Sequence, residues 1–130
     1  MIRIAIVEDD TGYRSQLGKY IDQYQSDFSE TVSVSEFSDG LEIVEKYKSE
    51  YDIILMDVQM PVMNGYDATK EIRRLKKKEA AKIPIFAMTA NAFAEDIRTC
   101  MEAGMDAHIA KPVDLDLLEE NIRIYMQAKA

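Results

Sequence analysis

Apolar residues gather in five short runs along this chain, and between the runs they recur every three or four positions. The runs are Ile2 to Val7, Val32 to Phe37, Ile53 to Asp57, Ile83 to Met88 and Ala107 to Ala110. Short apolar blocks bounded by polar residues predict strands of a parallel sheet buried on both faces. The second run alternates, with Val32, Val34 and Glu36 set against Ser33, Ser35 and Phe37, and predicts an outer strand with one face partly wet. The fifth is short and is recognised mainly by its place in the series. Helical spacing links Tyr13, Leu17, Tyr20, Ile21 and Tyr24, and more loosely Leu41, Val44 and Tyr47 after the N-cap candidate Asp39. A third stripe runs through Ala68, Ile72 and Leu75, and a fourth through Phe93, Ile97 and Met101, stopping at Gly104. The last passes through Leu115, Leu118, Ile122 and Tyr125 behind a cap at Asp114. Each stripe predicts the core side of a helix.

Five strand-then-helix units in series predict a doubly wound α/β fold with helices on both faces of a five-stranded parallel sheet. The flavodoxin-like strand order 2-1-3-4-5 suits that number, in one domain spanning residues 1–130. Strands 1 and 3 are then neighbours, and both end in acid: Glu8-Asp9-Asp10 after the first, Asp57 at the end of the third. Open α/β sheets bind ligands at the carboxyl ends of their strands. Two acidic strand ends on one edge therefore predict a hard-cation site with a reactive carboxylate in it. Strand-end acids also serve as helix caps, the role expected of Asp10. A capping role alone would leave the coincidence of Glu8, Asp9 and Asp57 unexplained.

Composition narrows the picture. A formal net charge of −8 argues against nucleic acid or an anionic membrane as the main partner. The basic run Arg73-Arg74-Leu75-Lys76-Lys77-Lys78 falls at an expected helix end, where cations complement the helix dipole. Residues Lys76 to Lys82 carry the only linker-like polarity. Cys100, the only cysteine, is expected to be a buried, inert thiol, because the only histidine, His108, lies on a different element. No apolar stretch approaches the ~20 residues of a membrane span, and strand-like sequence follows Met1 directly, so a cytoplasmic protein without a signal peptide is expected.

The remaining strand ends complete a pattern. Strand 4 closes in Met88-Thr89-Ala90 and strand 5 in Ala110-Lys111-Pro112. Together with Val7-Glu8-Asp9-Asp10 and the block from Met56-Asp57 through Gln59, Met60, Pro61 and Met63 to Asn64-Gly65, these resemble response-regulator receiver domains. The resemblance covers nearly the whole chain, with the blocks in order and at matching intervals. It implies a switch module of two-component signalling rather than an enzyme in its own right. Asp57 would accept a phosphoryl group from a histidine kinase or histidine phosphotransfer domain, forming an acyl phosphate. Glu8, Asp9, Asp57 and the backbone carbonyl of Gln59 would hold Mg²⁺, with Mn²⁺ a substitute. Lys111 would pair with a phosphoryl oxygen, Thr89 would donate a hydroxyl hydrogen bond, and Ala90 would leave a path for the donor. The Lys111-Pro112 bond would be cis. Asn64-Gly65 reads as turn chemistry opening a helix, and Met60 and Met63 as gap-fillers.

Two departures matter. Many members carry an aromatic residue three places before the lysine, which swings inward on activation. Here that place is His108, so either the imidazole moves or the switch depends mainly on Thr89. Gln59 and Asn91 occupy places that influence the lifetime of the phosphoryl group. Rival readings fare worse. A metal-dependent aspartyl-phosphate phosphatase needs a general acid where Gln59 stands. A flavin carrier needs a phosphate cradle where Glu8-Asp9-Asp10 would repel one. A phosphorylation-independent scaffold would be expected to have lost part of the site. Output, or a homodimer, would use the face of the fourth helix, fifth strand and fifth helix. Leu117 and Ile124, off the last helix's stripe, are candidate contacts.

Overall fold

The computed structural model describes residues 1–77, 79–90 and 94–129. The elements alternate as β1 (Ile2–Val7), α1 (Thr11–Phe28), β2 (Val32–Phe37), α2 (Gly40–Glu45), β3 (Ile53–Asp57), α3 (Gly65–Arg74), β4 (Ile85–Thr89), α4 (Ala94–Ala103), β5 (Ala107–Ala110) and α5 (Leu115–Lys129). The five strands pair in parallel in the order β2-β1-β3-β4-β5. This is the architecture expected from the strand-then-helix series.

Period-2 alternation sends successive strand residues to opposite faces. Ile4, Ile6, Ile53 and Leu55 meet Leu17, Ile21 and Tyr24 of α1 and Leu118 and Ile122 of α5. Ala5, Val7, Ile54 and Met56 meet Ile43 of α2, Ala68 and Ile72 of α3 and Cys100 of α4. Burial of an Ile or Leu contributes ~1.5–3 kcal/mol, so covering both faces is what holds the central strands. β2 is an edge strand, and its Val34 faces water as expected. Where α1 meets α5, Arg123 lies over the Phe28 ring at 4.4 Å. Burial there, and the neighbouring Asp27, push the Glu119 carboxyl up to about 7.

Several boundaries differ from the sequence expectation. β4 begins at Ile85 rather than Ile83. Pro84 has no amide hydrogen to pair, Ile83 donates its amide to Glu79 O in a turn, and Ile83 O accepts from Arg73. α2 ends at Glu45, so Tyr47 packs from beyond the helix, and Ile43 is the more deeply buried residue. In α4 the core residues are Cys100 and Ala103, while Met101 is exposed; Phe93 lies outside the described residues. The expectation for Cys100 stands: it is a buried free thiol. The polar stretch after α3 is no linker, because Ala80 within it is fully buried.

Arg73 explains much of that stretch. Beyond complementing a helix end, its guanidinium donates to Ala80 O at 3.2 Å, Ile83 O at 2.7 Å and Gly104 O at 3.1 and 2.7 Å. It also pairs with Asp106 at 2.9 Å, and Asp106 in turn accepts from the Ile85 amide. The amino ends of β4 and β5 are thereby tied to α3. Among the described residues no helix is long and apolar enough to cross a membrane.

Candidate functional site

At the carboxyl edge, each strand delivers its last side chain to a position set by backbone pairing. Glu8 follows β1 and is held by its amide to Phe37 O at 3.0 Å, while Arg14 donates to Glu8 O at 2.9 Å. Asp57 ends β3 and stands opposite Met88 of β4. One residue further along β4 comes the buried Thr89, whose carbonyl accepts from the Lys111 amide at 2.7 Å. The Lys111-Pro112 bond is cis.

Helix caps shape the rest of the rim. Asp10 caps α1, its Oδ1 accepting from Tyr13 N at 3.0 Å. Asn64 caps α3 through Asp67 N at 2.9 Å, the turn role expected of it. Asp39 caps α2 through Leu41 N, and the same carboxylate accepts from Val62 N and Met63 N at 3.1 Å each. The loop between β3 and α3 is thus moored from two sides. Met60 is buried beneath it, with Met63 packed alongside. Gly65 passes so near the β3 end that only a residue without Cβ fits.

Glu8, Asp9 and Asp57 each offer a carboxylate oxygen within 4.8 Å of the others. Glu8 is fully buried and Asp57 nearly so, whereas Asp9 is exposed. Lys111 Nζ lies 2.7 Å from Glu8 Oε1 and 3.3 Å from Asp57 Oδ1, and Gln59 N donates to Asp57 Oδ1 at 3.2 Å. The lysine is therefore no solvated side chain: only 13% of it is exposed. A cavity of about 180 Å³ opens over this group, lined by Asp9, Asp10, Tyr13, Asp57, Gln59, Ala90 and Lys111. Thr89 lines an adjoining cavity of about 150 Å³ with Val58, Gln59, Tyr66, Ala90 and Asp96.

Burial, then contact with Asp57, drives Glu8 toward its neutral form and pushes it up to about 8, against the pull of Lys111. For Lys111 burial works in the opposite sense, but the hydrogen bond to Glu8 and the Asp57 charge outweigh it and raise its pKa. Glu8 Oε2 is buried without a hydrogen-bond partner. Two buried carboxylates, one exposed carboxylate and one unmet oxygen form the donor set a hard divalent cation takes.

The structure thus gathers Asp9, Asp57, Gln59 and Lys111 around one cavity, with Glu8 buried beneath them against Lys111 and Thr89 beside it. His108, half-buried on β5, stands in register with Ala87. Asn91 lies outside the described residues. The sequence pattern does not mark Arg14, which holds the Glu8 backbone, and places Tyr13 only on a core stripe. The ring of Tyr13 lies 4.4 Å from Lys111 Nζ. Its position three residues after the capping Asp10 was the available signal.

Comparison with known proteins agrees. The family model described as the response regulator receiver domain matches residues 4–123. The peroxide stress-activated histidine kinase mak1 of Schizosaccharomyces pombe is 36% identical over 120 residues, covering 88% of this chain and 7% of that protein. Histidine kinase 1 of Arabidopsis thaliana is 51% identical over 74 residues, covering 57% of this chain and 6% of that protein. The chain therefore spans under a tenth of the length of these relatives. Among solved structures, the receiver domain of a sensor histidine kinase from Pseudomonas aeruginosa PAO1 superposes with a TM-score of 0.83 at 31% identity. The match covers 97% of this chain and 98% of that one, which holds a magnesium ion in its active-site cleft.

Proposed function

Since the chain belongs to the response regulator receiver family of two-component signalling, we propose that Asp57 is its phosphoryl acceptor. The observation that carries this reading is the convergence of Glu8, Asp9 and Asp57 within 4.8 Å, with Lys111 on the buried carboxylates. A carboxylate oxygen of Asp57 attacks the phosphorus of a phosphohistidine on a kinase or phosphotransfer domain. The P–N bond breaks as the O–P bond forms, and the imidazole leaves. Lys111, already 3.3 Å from Asp57 Oδ1, moves onto a phosphoryl oxygen, and Thr89 donates its hydroxyl to another. The residues thus supply positioning and charge neutralisation, which is most of what phosphoryl transfer requires.

Glu8, Asp9, Asp57 and the Gln59 carbonyl are the groups that would hold Mg²⁺, or Mn²⁺ in its place. Such a cation, when bound, neutralises charge on the incoming phosphoryl oxygens. The unmet Glu8 Oε2 and the exposed Asp9 support that fit. Gln59 has no carboxyl group to protonate a leaving group or to take a proton from an attacking water, so the acyl phosphate persists as a signal, with self-catalysed loss a slow side reaction. Added charge at this edge draws in Thr89 and Lys111 and biases the face of α4, β5 and α5, with His108 the candidate swinging side chain. Moving such a switch from 1:99 to 99:1 needs about 5.5 kcal/mol of differential stabilisation. Leu117 and Ile124 are exposed on α5, as a contact with an output partner or a second copy requires.

Intact mass after incubation with acetyl phosphate and Mg²⁺ tests the reading. A single phosphoryl adduct, absent from Asp57→Asn, is expected. An adduct that survives in Asp57→Asn, or none in the wild type, would overturn it.

A further inference from the structure

Lys111 is held on three sides, two of them formed by carboxyl groups. Carboxylate oxygens of Glu8 and Asp57 stand 2.7 and 3.3 Å from its Nζ, and the third side is the face of Tyr13, 4.4 Å from Nζ to ring centroid. Tyr13 reaches that place through local structure. Asp10 caps α1 by accepting from the Tyr13 amide, which fixes the first turn, and helical side chains lean toward the amino end. The ring is thus carried back over the end of β1, where it walls the cavity above Asp57. On its other side the same residue borders a larger groove of about 430 Å³ between α1 and Pro112-Val113.

We infer that Tyr13 is a positioning residue for phosphorylation, its ring face steering the Lys111 ammonium between Glu8 and Asp57. This rests on the reading of Asp57 as the phosphoryl acceptor. The lysine must leave its carboxylate partners for a phosphoryl oxygen, and the shorter contact, to Glu8, pulls it the wrong way. An aromatic face attracts the cation from a third direction through its quadrupole. It adds no formal negative charge to repel the arriving phosphoryl group, as a third carboxylate would.

The test uses acetyl phosphate, a donor too small to need a docking surface, with Mg²⁺ and the full 130-residue chain. Initial rates of Asp57 phosphorylation are followed by intact mass. Tyr13→Leu is expected to slow the reaction about fivefold, the scale of a half-exposed cation–π contact. Tyr13→Phe, which keeps the ring, should restore the rate to within about twofold of wild type. In a Lys111→Met background the Tyr13→Leu change should have no further effect. Independently of any variant at position 13 folding poorly, the Lys111 Cε protons of the wild type should show an upfield ring-current shift. The proposal is overturned by an unshifted Lys111 signal, by Tyr13→Leu reacting at the wild-type rate, by Tyr13→Phe reacting as slowly as Tyr13→Leu, or by an equal loss without Lys111. Failure of the acceptor reading looks different: the wild type gains no adduct, or Asp57→Asn gains one.

Discussion

Replacing Gly65 with alanine strikes the loop that frames Asp57 at the point where it has no slack. An added Cβ would stand 2.3 Å from the Asp57 carbonyl oxygen, 2.9 Å from Val58 Cα and 3.0 Å from the Asp57 carbonyl carbon. All three are backbone atoms and cannot rotate aside. Restoring ordinary contact, ~3.5 Å, requires the start of α3 and the end of β3 to part by roughly 1 Å. Overpacking of that kind costs ~1–3 kcal/mol. The hydrogen bond from Gly65 N to Val58 O, now 3.2 Å, stretches with it. Its loss adds ~1 kcal/mol, for a total of about 3 kcal/mol. Urea unfolding followed by far-UV circular dichroism should show that loss as a lower midpoint with an unchanged slope. Because the displaced backbone carries Asp57, phosphorylation by acetyl phosphate should also slow at least ~tenfold, since a 1 Å misplacement can cost ~100-fold. Gly18→Ala is the control: it lies inside α1 with nothing within 4 Å of an added Cβ, and should gain ~0.5–1 kcal/mol. A Gly65→Ala protein as stable as wild type refutes the steric argument. One that is destabilised yet reacts at the wild-type rate refutes the link to the site.

Three further outcomes can be measured. Lys111→Met leaves Glu8 and Asp57 facing each other without a cation, and Glu8 already favours its neutral form up to about pH 8. Metal-free thermal denaturation should therefore show a loss that is nearly constant between pH 5 and 7 and grows, by about 1 kcal/mol per pH unit, once pH passes about 8 and the wild-type Glu8 ionises against Lys111; a loss that does not grow above pH 8 contradicts the pairing. Glu119, raised to about 7, binds a proton in the native state over a range where the unfolded chain, with its ordinary value of 4.5, does not. Stability should thus fall as pH rises from 4.5 to 7, by on the order of 1–2 kcal/mol; Glu119→Gln should remove that part of the slope, and an unaltered slope counts against it. Arg73→Met strips partners from Ala80 O, Ile83 O, Gly104 O and Asp106, and should lower stability by about 3 kcal/mol in urea titrations; a change below ~0.5 kcal/mol would mean water replaces the guanidinium at no cost.

The strand ends were legible because each couples a strong local pattern to an abrupt polar stop. Apolar blocks such as Ile53 to Met56 mark a strand, and the acid that ends the block marks the edge where chemistry gathers. Caps at Asp10, Asp39, Asn64 and Asp114 were readable or partly so for the same reason: one polar side chain satisfies amides two or three residues on. What stayed hidden depends on partners distant in sequence. Nothing near Arg73 announces that its acceptors lie as far away as Gly104 and Asp106. The second and third roles of Asp39, at Val62 and Met63, are equally remote. α4 misled because Met101 is apolar and sits at helical spacing, yet the smaller Cys100 and Ala103 face the sheet. Spacing finds a stripe, but the room beneath it decides which residues enter. For Glu8 the acid was evident, but its depth and its grip on Lys111 emerged only with the packing of both neighbours.

The Arg73 clasp gives the sheet two unlike ends. Where β4 and β5 begin, one guanidinium gathers four carbonyl and carboxylate groups and leaves those strands little freedom to part. Where they finish, the Lys111 amide donates a hydrogen bond to Thr89 O before the chain turns away. A disturbance arriving at that end would therefore meet less resistance to bending about the anchored base than to sliding whole strands past one another. Under the proposed function, a displacement at Asp57 would reach the flanking helices through that bending.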